Sequence, residues 1–140
     1  MPVKIEGATM KLDVTLHDLA AIREFVKAGA IKAKLKPEKV HEVVVAVDEA
    51  VTNIVVHGYR KKPGPLEVEC GARKKQFNIT LRDHAPTFNP LTLPPPDTTL
   101  PIDKRPIGGM GVYLIIRAMD EVDHHALPGG GNELVLKVKL

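Results

Sequence analysis

The sequence predicts an α+β fold, a two-layer sandwich in which a mostly antiparallel sheet carries its helices on one face. Apolar residues recur at helical spacing in three segments and alternate every second residue in five others. These segments follow one another as β-α-α-β-β-loop-α-β-β. A length of 140 residues, 44% of them apolar, provides one sizeable core and a single domain over 1–140. Cys70 is the sole cysteine, which excludes an intramolecular disulfide and a cysteine-held zinc cluster.

Residues 8–14 alternate and form the first expected strand. Leu16, Leu19, Ile22 and Val26 repeat at helical spacing, with Gly29 as the expected stop. A second helix opens near Pro37, a residue suited to a first helical turn, and runs to about His57, where Gly58 ends it. After the turn KKPGP, LEVECGAR and QFNITLRD read as two strands with Lys74 and Lys75 at the tip between them. From Pro86 to Pro106 lie seven of the chain's 12 prolines, so a regular helix or central strand is excluded and a long functional loop is expected. Gly108-Gly109-Met110-Gly111 then leads into the helical run VYLIIRAM, and two strands close the chain near 121–126 and 133–140.

No apolar stretch reaches the roughly 18 residues a bilayer span needs, and the N-terminus shows no signal-peptide block. A soluble, cytoplasmic protein with no membrane partner is the expectation. The net charge of +3 is mild, and the basic clusters at Lys32–Lys36, Arg60–Lys62 and Arg73–Lys75 sit at turns. Aromatic residues are only 4% with no tryptophan, so the stacking surface of a nucleic-acid binder is missing and no direct nucleic-acid contact is expected.

The second helix carries the most informative pattern. At about 100° per residue, Val40, Val43, Val44, Val47, Val51, Ile54 and Val55 share one arc facing the core. Opposite them Glu49, Asn53 and His57 follow at i, i+4 and i+8, with Glu42 beneath and Ala46, Ala50, Val45 and Val56 alongside. Small and apolar residues around a few polar groups suit a pocket wall better than a solvated face. The alternative is an exposed Glu49 and an Asn53 bonded locally. An amide oxygen is a hard ligand suited to Mg²⁺, and a carboxylate one turn away can take a proton from a hydroxyl. His57 suits either a supporting donor or a helix-end cation favoured by the dipole.

Asp83 ends a strand, where its carboxylate either opens a turn or accepts a hydrogen bond from an exocyclic amine such as that of adenine. Downstream, Gly108, Gly109 and Gly111 let backbone N–H groups approach an anion at a helix N-terminus.

Together HEVVVAVDEAVTNIVVHGY, LRDHAPTFNP, GGMGVYLIIRAMDEVDHH and GGNELVLKVKL resemble the anti-sigma factor serine/threonine kinases, small stand-alone members of the GHKL ATPase superfamily. The resemblance implies the Bergerat ATP-binding fold, with ATP and Mg²⁺ as ligands. It implies Glu49 as general base, Asn53 as metal ligand, His57 beside them and Asp83 as the adenine-reading carboxylate. Gly108, Gly109, Met110 and Gly111 would close an ATP lid over about 86–108, and Lys104 and Arg105 in that lid would contact the terminal phosphate. The expected reaction is phosphoryl transfer to a serine or threonine of an anti-anti-sigma antagonist, by a homodimer that also holds a sigma factor. The sequence departs from the family at Ala85 and Thr87, where the Asp83 box usually has glycines, and the methyl of Ala85 forbids an easy positive φ. That departure keeps open a second reading, an anti-sigma switch that holds nucleotide without transferring phosphate.

Overall fold

The computed structural model describes residues 7–92, 99 and 109–140, Met110 by its backbone alone. Five strands, β1 (Gly7–Val14), β2 (Gly64–Arg73), β3 (Gln76–Asp83), β4 (Glu121–Ala126) and β5 (Asn132–Lys139), form one sheet in the order β1-β2-β3-β5-β4. Every neighbouring pair is antiparallel. Three helices, α1 (Leu19–Lys32), α2 (Pro37–Asn53) and α3 (Gly109–Ala118), complete the fold.

Strand alternation decides what faces the helices. Leu66, Val68 and Cys70 of β2, Phe77, Ile79 and Leu81 of β3, and Leu134, Leu136 and Val138 of β5 are buried in one cluster with Ile22 and Val26 of α1 and the valine stripe of α2. Continuing the same two-residue period brings Asp83 and Asn132 onto the helix-facing side at one end of the sheet, directly opposite each other in the β3–β5 ladder. On the outer face Arg82 bridges three strands. Its Nη1 donates to Glu67 Oε2 at 2.8 Å and Glu69 Oε1 at 2.9 Å, and its Nε to Glu133 Oε2 at 2.8 Å.

The local signals explain the element ends. A capping box opens the first helical segment: Thr15 Oγ1 accepts from His17 N–H and Asp18 Oδ2 accepts from Thr15 N–H. A short 3₁₀ turn, Leu16–Asp18, then leads into α1. Lys74 and Lys75 both take positive φ, 53° and 64°, as a two-residue hairpin turn requires. Pro37 occupies the first turn of α2.

Two expectations need correction. Gly29 does not stop α1, which continues to Lys32. A Cβ at Gly29 would lie 2.8 Å from Cys70 Sγ and 3.5 Å from the Phe77 ring, so this glycine exists to let the helix approach the sheet. The second helix, moreover, is not regular to His57. Its last turn widens into a π-helical turn, Ile54–Gly58, closed by Tyr59 N–H to Ile54 C=O at 2.8 Å.

A methyl added at Gly29 gains about 1 kcal/mol of helix propensity but overpacks the core at a cost of about 1–3 kcal/mol. Gly29→Ala therefore lowers stability in the wild-type background and raises it in a Cys70→Ala background, a reversal that urea unfolding of the four proteins detects.

Candidate active site

Beside α2 a cavity of about 460 Å³ opens between the helices and the Asp83 end of the sheet. Ala50, Ile54, Val112, Ile115 and Leu134 supply an apolar wall, and Asn53, His57, Asp83, His124 and Asn132 bring polar groups to it. The pocket-wall reading of α2 thus holds for Asn53, His57 and Ala50 but not for Glu49, which does not line the cavity. Ala46, by contrast, is wholly buried in the core. Glu42 leaves the polar line for Lys39, which donates to it at 3.0 Å. Val45 and Val56 are half-buried and do not line the cavity.

Glu49 and Asn53 are brought together with the start of α3. A Cβ on Gly111 would fall 2.8 Å from Glu49 Oε2 and 3.7 Å from Asn53 Nδ2, so a side chain there would displace the Glu49 carboxylate. Neither side chain is engaged in a hydrogen bond or ion pair among the described residues. A partnerless carboxylate and carboxamide one helical turn apart, held against a backbone that opens a helix, present two oxygen acceptors beside the cavity. His57 is exposed at the cavity mouth, as a helix-end side chain.

Asp83 opens a turn, the first of the two roles expected of it, and also faces the cavity. Only 3% exposed, it accepts the N–H of Ala85 on Oδ1 at 2.9 Å, opening the turn, and lines the cavity. Oδ1 also accepts from Asn132 Nδ2 at 2.9 Å, which leaves Oδ2 without a partner among the described residues. Burial pushes the Asp83 carboxyl above its usual range, against the two hydrogen bonds and the charges of His84 and His124, which pull it down.

Tyr59 braces the same corner. Its hydroxyl donates to Pro65 C=O at 2.6 Å and accepts from His84 N–H at 2.7 Å, tying the end of α2 to the end of β3. Ala85 is buried without a positive φ, so its methyl carries no backbone strain. A Cβ on Gly58 would sit 2.9 Å from that methyl, so the absence of a side chain at Gly58 makes the room.

The start of the expected lid is fixed rather than irregular. Phe88 N–H donates to Asn132 Oδ1 at 2.9 Å, Thr87 Oγ1 to Gly131 C=O at 3.2 Å, and Pro90–Thr92 form a 3₁₀ turn. Gly131, at φ 112°, has no room for a Cβ against the Asp83 carbonyl, so only glycine lets β5 begin here. Gly109, Met110 and Gly111 form the first turn of α3. Lys104, Arg105 and Gly108 lie outside the described residues, as does most of the lid after Thr92.

Sequence reasoning missed Asn132, His124 and Arg60, all of which line the cavity. Arg60 had been grouped with solvated turn cations. The signal for Asn132 was its place immediately after three glycines, but its pairing with Asp83 needed the strand register.

Comparison with known proteins identifies the family and the fold. Residues 12–138 match the family described as histidine kinase-like ATPase domain. The chain belongs to this family. It is 29% identical over 126 residues to the serine-protein kinase RsbW of Bacillus mycoides (strain KBAB4), covering 87% of this chain and 79% of that one. The RsbW of Bacillus thuringiensis (strain Al Hakam) is 27% identical over the same coverage. The crystal structure of the RsbU and RsbW domains of Rv1364c from Mycobacterium tuberculosis superposes with a TM-score of 0.68 at 16% identity. That superposition covers 96% of this chain and 32% of the solved one, so this chain spans about a third of it, and the likeness establishes the fold. The five-stranded antiparallel sheet with its helices is thus the GHKL-type α+β sandwich.

The burial of Asp83 has a thermodynamic consequence. A carboxyl whose folded pKa is raised holds its proton more tightly folded than unfolded, so its contribution to stability falls as pH rises from the ordinary 3.8 through the raised value. Asp83→Asn keeps an acceptor for Ala85 and Asn132 and never ionises. Unfolding curves across this range should show the variant gaining on the wild type as pH rises and levelling off at neutral pH, while nucleotide-induced stabilisation disappears.

Proposed function

We propose that the chain is a protein serine/threonine kinase of the anti-sigma class. It binds MgATP in the cavity and transfers the terminal phosphoryl group to a hydroxyl of an anti-anti-sigma antagonist. It also sequesters a sigma factor, acting as a cytoplasmic homodimer. The observation that carries this reading is the meeting of Glu49, Asn53 and Gly111 beside a cavity that ends at Asp83. The curated relatives named serine-protein kinase support it.

The donor set suits Mg²⁺. Among the described residues no three His, Cys, Asp or Glu side chains gather as a protein-made metal cage. Mg²⁺ usually keeps several waters and takes one or two protein oxygens plus phosphate oxygens, and Asn53 Oδ1 would be that protein ligand. When bound, the ion neutralises phosphate charge. The apolar wall of Ala50, Ile54 and Ile115 encloses the base, and Asp83 Oδ2 accepts its exocyclic N–H. The N–H groups opening α3 face the phosphates at the positive end of the helix. Glu49 takes the proton as the acceptor hydroxyl oxygen bonds to the terminal phosphorus and the bond to the bridging oxygen of ADP breaks.

The departure at Ala85 favoured a switch without catalysis only if the methyl strained the turn, and it does not. The kinase reading is therefore preferred.

Incubation with labelled ATP, Mg²⁺ and the cognate antagonist tests the assignment. The wild type should transfer label. Glu49→Gln should slow transfer by about 10²–10⁴-fold, the usual worth of a general base. Gly111→Ala should lose it by pushing Glu49 aside, with the circular dichroism of the fold preserved. Transfer by Glu49→Gln at the wild-type rate would refute the role of Glu49, and nucleotide binding without any transfer would select the switch.

A further inference from the structure

The end of the sheet remote from Asp83 gathers cations that the sequence scatters. α1 follows β1, whose last residue, Val14, pairs with Gly64 at the start of β2, so α1 and β2 set out from the same end. They meet where Gly29 lies against Cys70 and Phe77. Beyond that contact Lys32 lies about 5 Å further along α1 and Arg73 about 10 Å further along β2. The α1–α2 connection, with Lys32, Lys34 and Lys36, therefore stands beside the β2–β3 hairpin, with Arg73, Lys74 and Lys75. All six are exposed, and none forms a side-chain hydrogen bond or ion pair among the described residues. Neighbouring acids are taken. Glu42 accepts from Lys39 at 3.0 Å, Glu121 lies 3.9 Å from Lys137, and Asp120 accepts the Lys139 N–H at 2.7 Å. Glu38 is exposed in the first turn of α2, where the helix dipole favours it.

Three of these lysines occupy positions that ordinarily belong to glycine or asparagine. α1 ends in a Schellman motif, in which Leu35 N–H donates to Ala30 C=O at 3.2 Å and Lys34 N–H to Ile31 C=O at 2.9 Å. Lys34 takes the left-handed place of that motif, at φ 67°. Lys74 and Lys75, at 53° and 64°, form the two-residue turn that favours Asn-Gly. A side chain costs stability at each of these positions, so the turns themselves give no reason for lysine. A cation presented to a partner does.

We propose that this basic pole binds an acidic, amphipathic segment of a partner protein. Ile31, 56% exposed, stands among the cations on the last turn of α1. Leu140, also exposed, is tied to the hairpin by its N–H, which donates to Lys75 C=O at 3.0 Å. Carboxylates of the partner pair with the lysines while its apolar side chains cover Ile31 and Leu140. A nucleic acid would find no stacking platform, since Phe25 packs against the core and Phe77 is wholly buried. Gln76 and Asp83 stand at opposite ends of β3, about 23 Å apart at the usual strand rise, so a segment held here leaves the cavity free.

Fluorescence anisotropy at low salt tests this with a labelled amphipathic peptide of glutamate and leucine, against a short DNA duplex and phosphatidylserine vesicles. The peptide should bind the wild type most tightly, and saturating MgATP should leave its affinity within about twofold. Lys34→Gly, Lys74→Asn and Lys75→Gly together remove three cations and relieve three left-handed positions. That variant should melt at a higher temperature yet bind the peptide about tenfold more weakly, a loss that misfolding cannot produce. Lys32→Gln with Lys36→Gln should also weaken the peptide and serves if the turn variant does not fold. Ile31→Ser should weaken the peptide while leaving poly-glutamate binding unchanged. Lys61→Gly relieves φ 66° in the other basic loop and should leave peptide binding at the wild-type level. Wild-type affinity in the folded lysine variants, tighter binding of the duplex or the vesicles, or displacement of the peptide by MgATP would each overturn the proposal.

Discussion

A carboxylate withdrawn from water at the end of β3 organises this molecule. Burying Asp83 is unfavourable, and the fold offsets the cost with N–H donors rather than with a cation. That choice has consequences in every direction. The Ala85 N–H must turn back under the strand, β5 must start opposite with Asn132, and Gly131 must leave room for the Asp83 carbonyl. Tyr59 then locks the neighbouring His84 N–H to the end of α2. A salt bridge at this position would have closed the cavity chemically, whereas neutral donors leave one oxygen to meet a ligand.

The second constraint is helix approach. α2 buries its β-branched stripe against the sheet, which forces Glu49 and Asn53 to its other side. There the ordinary outcome is solvent. What makes a site instead is α3, whose first turn brings Gly111 against the Glu49 carboxylate and the Asn53 amide. Asn53 lines a cavity with an apolar wall, and Glu49, one turn earlier, lies against Gly111 of α3. The widened turn Ile54–Gly58 carries the chain from this site toward Tyr59, so the functional helix and the Asp83 corner share one connection.

Much of this was legible in the residues. Element order followed from period-two alternation and turn chemistry, although β2 begins at Gly64, inside the segment read as a turn, and the same alternation brings Asp83 to the helix side with Leu81 and Ile79. The polar line on α2 and the glycines before α3 were likewise visible as patterns. Gly29 misled because a glycine inside a helix reads as a stop, while its cause, the Cys70 sulfur opposite, lies 41 residues away in the chain. Asn132 and His124 were missed for a related reason. Their role depends on β5 pairing with β3 and β4 together, a register that no local spacing encodes. Arg60 shows the opposite failure, since a turn cation reads as solvated until the cavity mouth beside it is seen.

The central claim is that the space between α2, α3 and Asp83 is built for a magnesium-bound adenine nucleotide. Thermal unfolding with and without MgATP tests it without needing any partner protein. A ligand present at 100 times its dissociation constant adds about 2.7 kcal/mol to the folded state. The account predicts a melting temperature that climbs with MgATP concentration. A melting curve that stays unmoved at saturating MgATP would contradict it.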